Sequence, residues 1–462
     1  MTRDSFSPSA SSPPQPASAR PGPRPLALHL NSALTILQGS LAALPSSRLG
    51  LIAWSASVRP QAESLAADLA SSPPDAVARA LAAEVAARYR AMLEGIRLYR
   101  AHPYVRDLEP APTVWRAGGT RLTDYGGDGP PVLFVPSLVN RGYVLDLSAR
   151  RSLLRWLATQ GFRPYLVDWD APTEAERGLD LGGYVMQRLV PALEHLAFEH
   201  GGPLPVVGYC MGGDLALALA LVRPQAVAAL ALLATPWDFH AEGGAGRGRL
   251  LVAGRDGIDA SLRLGGEMPV DALQAFFLGL DPALSLKKFA AFAAMDQAGE
   301  AAADFVALED WLNDGVPLVP GVARDCLVGW YGENVTARLG WHVDGRAVDP
   351  AALTCPLLLA VPANDRIVPP GSARALGSRA AAGGVAVTEI APPLGHIGMV
   401  VGGRAAARLW QPLADWLRLH AAVQNPPLSV TPAGSYRGGG RSQSKNKRPK
   451  RPPRTASQEF PT

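Results

Sequence analysis

The chain has 462 residues, 48% of them hydrophobic, which allows one large domain with an insertion or two domains, each with a substantial core. Its three cysteines, Cys210, Cys326 and Cys355, form no Cys-x-x-Cys pair, excluding a disulfide framework or a zinc site and suiting a reducing, cytoplasmic compartment. The net charge of +4 is misleading: from Arg437 onward eight basic residues face one acid, so this tail carries +7 and the rest of the chain −3.

Residues 1–25 are rich in Ser, Pro and Ala, lack the apolar stretch of a signal peptide and are expected to be disordered. Residues 26–111 read as a helical N-terminal region. The span from Leu26 to Val58 is apolar but interrupted by His29, Asn31, Gln38, Pro45 and Arg48, so no membrane span is expected there; a helix lying on a membrane or lipid surface is the alternative. Ala76 to Tyr99 reads as one helix, because Leu81, Val85, Tyr89, Met92, Leu93, Ile96 and Tyr99 recur at three- and four-residue spacing.

The Gly/Pro-rich turn from Asp124 to Pro131 opens a stretch in which strands and helices alternate, the pattern of a mostly parallel sheet with helices on both faces. Strands are expected at Val132–Val135, Pro164–Asp168, Leu204–Gly208, Ala228–Ala234, Pro356–Pro362 and Val385–Ile390. Helices are expected at about Ser148–Gln160, Gly182–His200 and Arg404–His420. The gap after Pro236 is far too long for a simple crossover. Residues 112–237 and 346–422 are therefore assigned to an α/β core and 238–345 to an inserted cap or lid, which would shape a pocket and exclude water. Residues 423–462, rich in Pro, Gly, Ser and basic side chains, are expected to form a disordered tail.

The chemistry centres on Gly208-Tyr209-Cys210-Met211-Gly212, a G-x-C-x-G nucleophile elbow with cysteine in the place more often held by serine. An apolar strand precedes it and an Ala/Leu-rich helix follows, so the thiol would stand on a tight strand-to-helix turn near a helix N-terminus. A thiol needs a base, and the base needs an orienting group. In this architecture the acid follows the penultimate strand and the histidine follows the last. Asp365 and His396 occupy those two loops. The oxyanion would be held by the backbone N–H of Met211 and by a second from the loop after the first core strand, with Val139 or Asn140 as candidates. Asp168 and Asp170 read as hydrogen-bonding loop carboxylates, Asp238 and His240 as residues of the cap hinge, and Cys326 and Cys355 as packing residues. No phosphate loop, dinucleotide fingerprint or metal-ligand spacing occurs, so no cofactor is expected.

These residues resemble the polyhydroxyalkanoate synthase family. The likeness runs from about Pro131 to Leu419 and is carried by Leu138-Val139-Asn140-Arg141, Asp146-Leu147, Arg151-Ser152-Leu153 and Val167-Asp168-Trp169, then Gly208-Tyr209-Cys210-Met211-Gly212-Gly213 and Thr235-Pro236-Trp237-Asp238-Phe239. Asn364-Asp365-Arg366-Ile367-Val368-Pro369-Pro370 and Gly395-His396-Ile397-Gly398 complete it. The resemblance implies an α/β-hydrolase fold with a lid, acting on (R)-3-hydroxyacyl-CoA thioesters to extend a polyester chain. Cys210 would then take the acyl group and release CoA, His396 would be its base, and Asp365 would assist His396 or activate the incoming hydroxyl. It also implies a homodimer or a partner subunit, and work at a polyester granule surface. The basic tail is a candidate contact for that surface or for nucleic acid. The alternative use of the same three side chains is hydrolysis, by an intracellular polyester depolymerase, thioesterase or esterase.

Overall fold

The computed structural model describes residues 20–421 apart from Ser57; the disorder expected for residues 1–19 and for the basic tail from residue 423 falls outside them. Three helices come first: α1 (Leu26–Arg48), α2 (Arg59–Ser71) and α3 (Pro74–Ala101). Their sequence explains why α3 is the one that docks firmly. Its apolar residues lie on one stripe, and Met92, Ile96 and Tyr99 are buried, whereas α2 buries nothing. The polar residues expected to interrupt α1 do not end it. By length and composition α1 is the one helix among the described residues that could cross a membrane, and only 17% of its most apolar window is buried.

Eight strands build the central sheet: β1 (Thr113–Ala117), β2 (Thr120–Asp124), β3 (Pro131–Val135), β4 (Arg163–Asp168), β5 (Leu204–Tyr209), β6 (Val227–Leu233), β7 (Leu357–Ala360) and β8 (Val387–Ile390). Their order is β1-β2-β4-β3-β5-β6-β7-β8, parallel throughout from β4 to β8, with β2 antiparallel to both β1 and β4. This is the mostly parallel sheet expected of an α/β-hydrolase fold. The central strands are buried on both faces, which is why β5 and β6 read as nearly unbroken apolar runs. Helices cover each face. One buried cluster includes Leu133, Val206, Leu230 and Leu359, and the other Phe134, Val207, Ala231 and Leu358, as the two-residue period of a strand requires.

Two features differ from the sequence expectation. The β1–β2 hairpin was not legible, because as an edge ribbon it carries Arg and Thr between its few apolar residues. The helix expected from Ser148 begins at Leu153. Asp146–Ser148 and Arg151–Ser152 pair as a short ribbon, and the Ser152 hydroxyl then accepts from the Arg155 N–H to start the helix.

Between β6 and β7 lies the long insertion, mostly helical from Gly244 to Glu333, including α4 (Leu284–Ala293) and α5 (Glu300–Asn313). It does not pack on the sheet alone. Phe289 and Phe292 of α4 and Val306 of α5 share a third buried cluster with Met92, Ile96 and Tyr99 of α3 and with Ala33 and Leu37 of α1. At Gly95 the α3 backbone approaches α4 so closely that a Cβ would sit 1.9 Å from the Phe289 carbonyl oxygen, so glycine there permits the contact. Arg20–Pro25, expected to belong to the disordered start, runs instead along this helical layer: Arg20 pairs with Asp310 at 2.7 Å and Arg24 with Asp271 at 3.0 Å.

Candidate active site

Cys210 follows β5 directly with φ 54° and ψ −132°, a positive-φ backbone that L-residues avoid, and the helix Met211–Val222 begins at the next residue. Such strain, of order 1–3 kcal/mol, persists only where the surroundings over-determine it. They do so here. A Cβ on Gly212 would lie 2.2 Å from the Val135 carbonyl oxygen and 2.4 Å from that of Pro136. The elbow helix is thereby pressed against the end of β3, which brings its N-terminus beside the loop that starts at Pro136. We predict that Gly212→Ala costs about 1–3 kcal/mol through overpacking and slows alkylation of Cys210; an unchanged melting temperature and alkylation rate would refute the close-approach argument.

The loops after β7 and β8 deliver the other two side chains. Asp365 Oδ1 accepts the N–H groups of Ile367 at 2.8 Å and Val368 at 2.9 Å, which fixes the carboxylate and leaves Oδ2 to meet His396 Nδ1 at 2.7 Å. Both residues are buried. The His396 ring and the Cys210 thiol line the same cavity. Burial alone would lower the His396 pKa, but the negative charge on Cys210, the bonds from Asp365 and Cys210 and the Asp365 charge raise it to about 10. Tyr209 packs its ring 5.4 Å from that of His396, and its hydroxyl, directed to the His396 carbonyl, is held in the neutral form by burial and by the charges of Cys210 and Asp365.

The structure thus brings Cys210, His396 and Asp365 together. The Met211 N–H belongs to the first turn of the elbow helix, beside the thiol. Val139 lines the same cavity as Cys210, but its N–H donates to Ser137 Oγ at 3.2 Å, a long bond that an oxyanion would have to displace. Asn140 uses its side chain on the carbonyls of Trp311 and Leu312. This loop is bolted to the insertion: the Val316 N–H donates to the Val139 carbonyl, Trp311 Nε1–H to the Arg141 carbonyl, and Arg141 bridges Asp170 and Asp314.

The remaining sequence candidates lie elsewhere. Asp168 and Asp170 pair with Arg121, and Asp170 also with Arg141. Asp238 caps the His240 N–H and accepts from Asn334, tying the start of the insertion to its end. Cys326 and Cys355 are buried free thiols whose pKa values burial pushes up. No group of three or more His, Cys, Asp or Glu side chains is placed to hold a metal among the described residues.

One residue at the site escaped the sequence reading. Asp214, one helical turn after Cys210, is fully buried, and neither of its carboxyl oxygens has a hydrogen-bond partner. Burial, then the charge of Cys210, raises its pKa well above the ordinary value, which favours the protonated form behind the elbow. Asp214 stands just before the apolar run Leu215–Val222, and the local sequence does not set it apart from any other acid near a helix start.

Cys210 and His396 open into a largely apolar cavity of about 450 Å³, to which the insertion contributes Phe277, Leu278, Leu280 and Leu284. That lining suits an acyl chain.

Comparison with known proteins gives this arrangement a family context. Residues 130–399 match the α/β hydrolase fold family. The chain is similar to the poly(3-hydroxyalkanoate) polymerase subunit PhaC of Allochromatium vinosum, with 30% identity over 62% of this chain and 80% of that protein. It is likewise similar to the protein of the same name from a Synechocystis species, with 32% identity over 62% of this chain and 77% of that protein. Among solved structures, an α/β hydrolase fold protein from Nakamurella multipartita aligns over 68% of this chain and 99% of its own length, with 19% identity and a TM-score of 0.40.

Proposed function

For a chain that belongs to the α/β hydrolase fold family and, within it, to the poly(3-hydroxyalkanoate) polymerases, we propose an acyltransferase that builds polyester from (R)-3-hydroxyacyl-CoA by way of a Cys210 thioester. What supports the reading is the elbow thiol facing the same largely apolar cavity as His396, whose ring Asp365 holds at 2.7 Å.

In the first half-reaction the proton of the Cys210–His396 pair resides on His396, and the Cys210 thiolate attacks the thioester carbonyl. The negative charge that develops on oxygen is met by the Met211 N–H and, once its bond to Ser137 is exchanged, by the Val139 N–H. Collapse expels the CoA thiolate, which takes the proton from His396. In the second half-reaction His396 accepts the proton of a hydroxyl on the next hydroxyacyl-CoA as that oxygen attacks the acyl-Cys210 carbonyl. An ester forms and the Cys210 thiolate leaves. The extended chain then returns to Cys210 by another thioester exchange, so one CoA is released for each unit added. Cysteine suits this cycle: exchange between thioesters keeps the acyl group activated for the next hydroxyl, an advantage that a hydrolase does not need.

Water competes with the hydroxyl for the same intermediate, so the apolar wall from the insertion matters to the outcome. The insertion would act as the lid of the cycle. Contacts with a partner subunit or a granule surface would lie outside this chemistry.

The test is to supply 3-hydroxybutyryl-CoA and follow CoA release together with the acyl product. CoA release with growing polyester is expected; CoA released with free 3-hydroxybutyrate as the only product would turn the reading to hydrolysis.

A further inference from the structure

The cavity that contains Cys210 and His396 is not closed by the α/β fold and its insertion alone. Pro23, Arg24 and His29, from a segment far outside the matched family region, line it as well. Several bonds seat that segment. The Arg24 N–H donates to Asn313 Oδ1 at 2.8 Å, Arg24 pairs with Asp271, and Arg20 pairs with Asp310 while also bonding the carbonyls of His102 and Tyr104.

At the end of the segment His29 and Ser285, both buried, form a pair: His29 Nδ1 lies 2.7 Å from Ser285 Oγ, and His29 Nε2 lies 2.9 Å from the Arg24 carbonyl oxygen. The directions of these bonds follow from chemistry. A carbonyl can only accept, so Nε2 carries the proton. In the neutral ring Nδ1 must then accept, and the Ser285 hydroxyl donates to it. Burial lowers the His29 pKa and the charge of Lys288 adds to this, against the raising effect of the Arg24 bond, so the neutral ring is the form present. The hydroxyl proton of Ser285 is therefore committed, and what Oγ offers the cavity is a lone pair. Its complement is a hydrogen-bond donor.

An acyl chain offers few donors. Ester carbonyls and ester oxygens only accept; the hydroxyl at the free end of a hydroxyacyl chain donates. Space permits such a chain, because about 450 Å³ corresponds to roughly 15 water volumes, whereas a four-carbon hydroxyacyl unit has only about six non-hydrogen atoms. We infer that the N-terminal segment completes the substrate cavity and that the Ser285–His29 pair is a subsite for the free hydroxyl end of a hydroxyacyl chain. The inference rests on the reading of Cys210 as the residue that carries the acyl group. It assigns Ser285 a part in chain selection, separate from the bond-making at Cys210.

The test compares two CoA thioesters in single-turnover acylation of Cys210 in the full chain: the linear 3-hydroxybutyrate dimer with its terminal hydroxyl, and the same dimer with that hydroxyl replaced by hydrogen. The wild-type protein is expected to prefer the hydroxyl-ended chain by roughly tenfold, the scale of one hydrogen bond. Ser285→Ala is expected to erase the preference and Ser285→Thr, which keeps the hydroxyl, to retain it. The preference is a ratio within one protein, so partial unfolding of a variant does not imitate its loss. No preference in the wild type, or one that survives Ser285→Ala, overturns the subsite. Failure of both chains to acylate wild-type Cys210 overturns the proposed function together with it.

Discussion

Replacing Cys210 with Ala is expected to abolish acyl-enzyme formation and to lower turnover of 3-hydroxyacyl-CoA by roughly 10⁴-fold or more, the scale on which removing the nucleophile of a catalytic triad acts. The loss has to be large because His396, Asp365 and the Met211 N–H have nothing to activate or stabilise once the sulfur is gone. Fold stability should change little. Cys210 is only partly buried, and its positive-φ backbone tolerates Ala about as well as Cys. Mass spectrometry of the protein quenched during turnover gives the direct reading. An acyl adduct on wild-type protein that maps to Cys210 and disappears in the variant supports the assignment, while wild-type turnover by the alanine variant would falsify it. Cys210→Ser should retain at most weak activity, since an alkoxide is harder to form and the resulting ester is less activated than the thioester.

Asp365→Asn is expected to lower kcat by roughly 10⁴-fold, as loss of the orienting carboxylate does in related triads. The carboxylate receives two backbone N–H bonds on Oδ1 and presents Oδ2 to His396 Nδ1. An amide in its place can turn its NH₂ toward the ring, which reverses the tautomer and removes the charge. The pH profile tests the electrostatics separately from the rate. In the wild type burial pulls the His396 pKa down, yet Cys210 and Asp365 together carry it from 6.5 up to about 10. Without Asp365 two of those contributions vanish, so the alkaline limb of kcat/KM should move to lower pH. Stability follows with a fixed sign. Between 6.5 and about 10 the folded protein holds a proton on His396 that the unfolded chain has lost. This contribution is complete below pH 6.5 and disappears as pH rises through about 10. The stability gap between wild type and Asp365→Asn should therefore narrow over that interval. A pH-independent gap and an unshifted alkaline limb would count against the coupling of His396 to Asp365.

The placement of the three candidate side chains was legible in the sequence because it is written in local signals that tertiary structure has no freedom to move. A G-x-C-x-G turn between an apolar strand and an Ala/Leu-rich helix can adopt few conformations, and the observed φ of 54° at Cys210 is the one that exposes the thiol. Asp365 and His396 were placed by strand order, since each follows a short apolar run of the sheet. The central strands were legible for the same reason: buried on both faces, they read as unbroken apolar stretches. The edge hairpin β1–β2 did not, as an edge strand mixes charge with its apolar face.

Three properties had no local signal. The buried acid Asp214 looks in sequence like any charged residue near a helix start, and only its complete burial without a partner distinguishes it. The closure of the Val139 loop onto Trp311 and Val316 joins segments 170 or more residues apart. The docking of α1 and α3 on the insertion, and with it the placing of His29 beside Ser285, joins segments 256 residues apart. The sequence by itself therefore determined where the candidate residues Cys210, His396 and Asp365 stand, and the sheet that orders them, because each position depends on a turn or an apolar period only a few residues long. The tertiary structure alone decided which surfaces enclose the thiol, since a cavity wall is made by packing between distant helices. That packing depends on shape and close backbone approach, as at Gly95 against Phe289, and no short stretch of sequence encodes it.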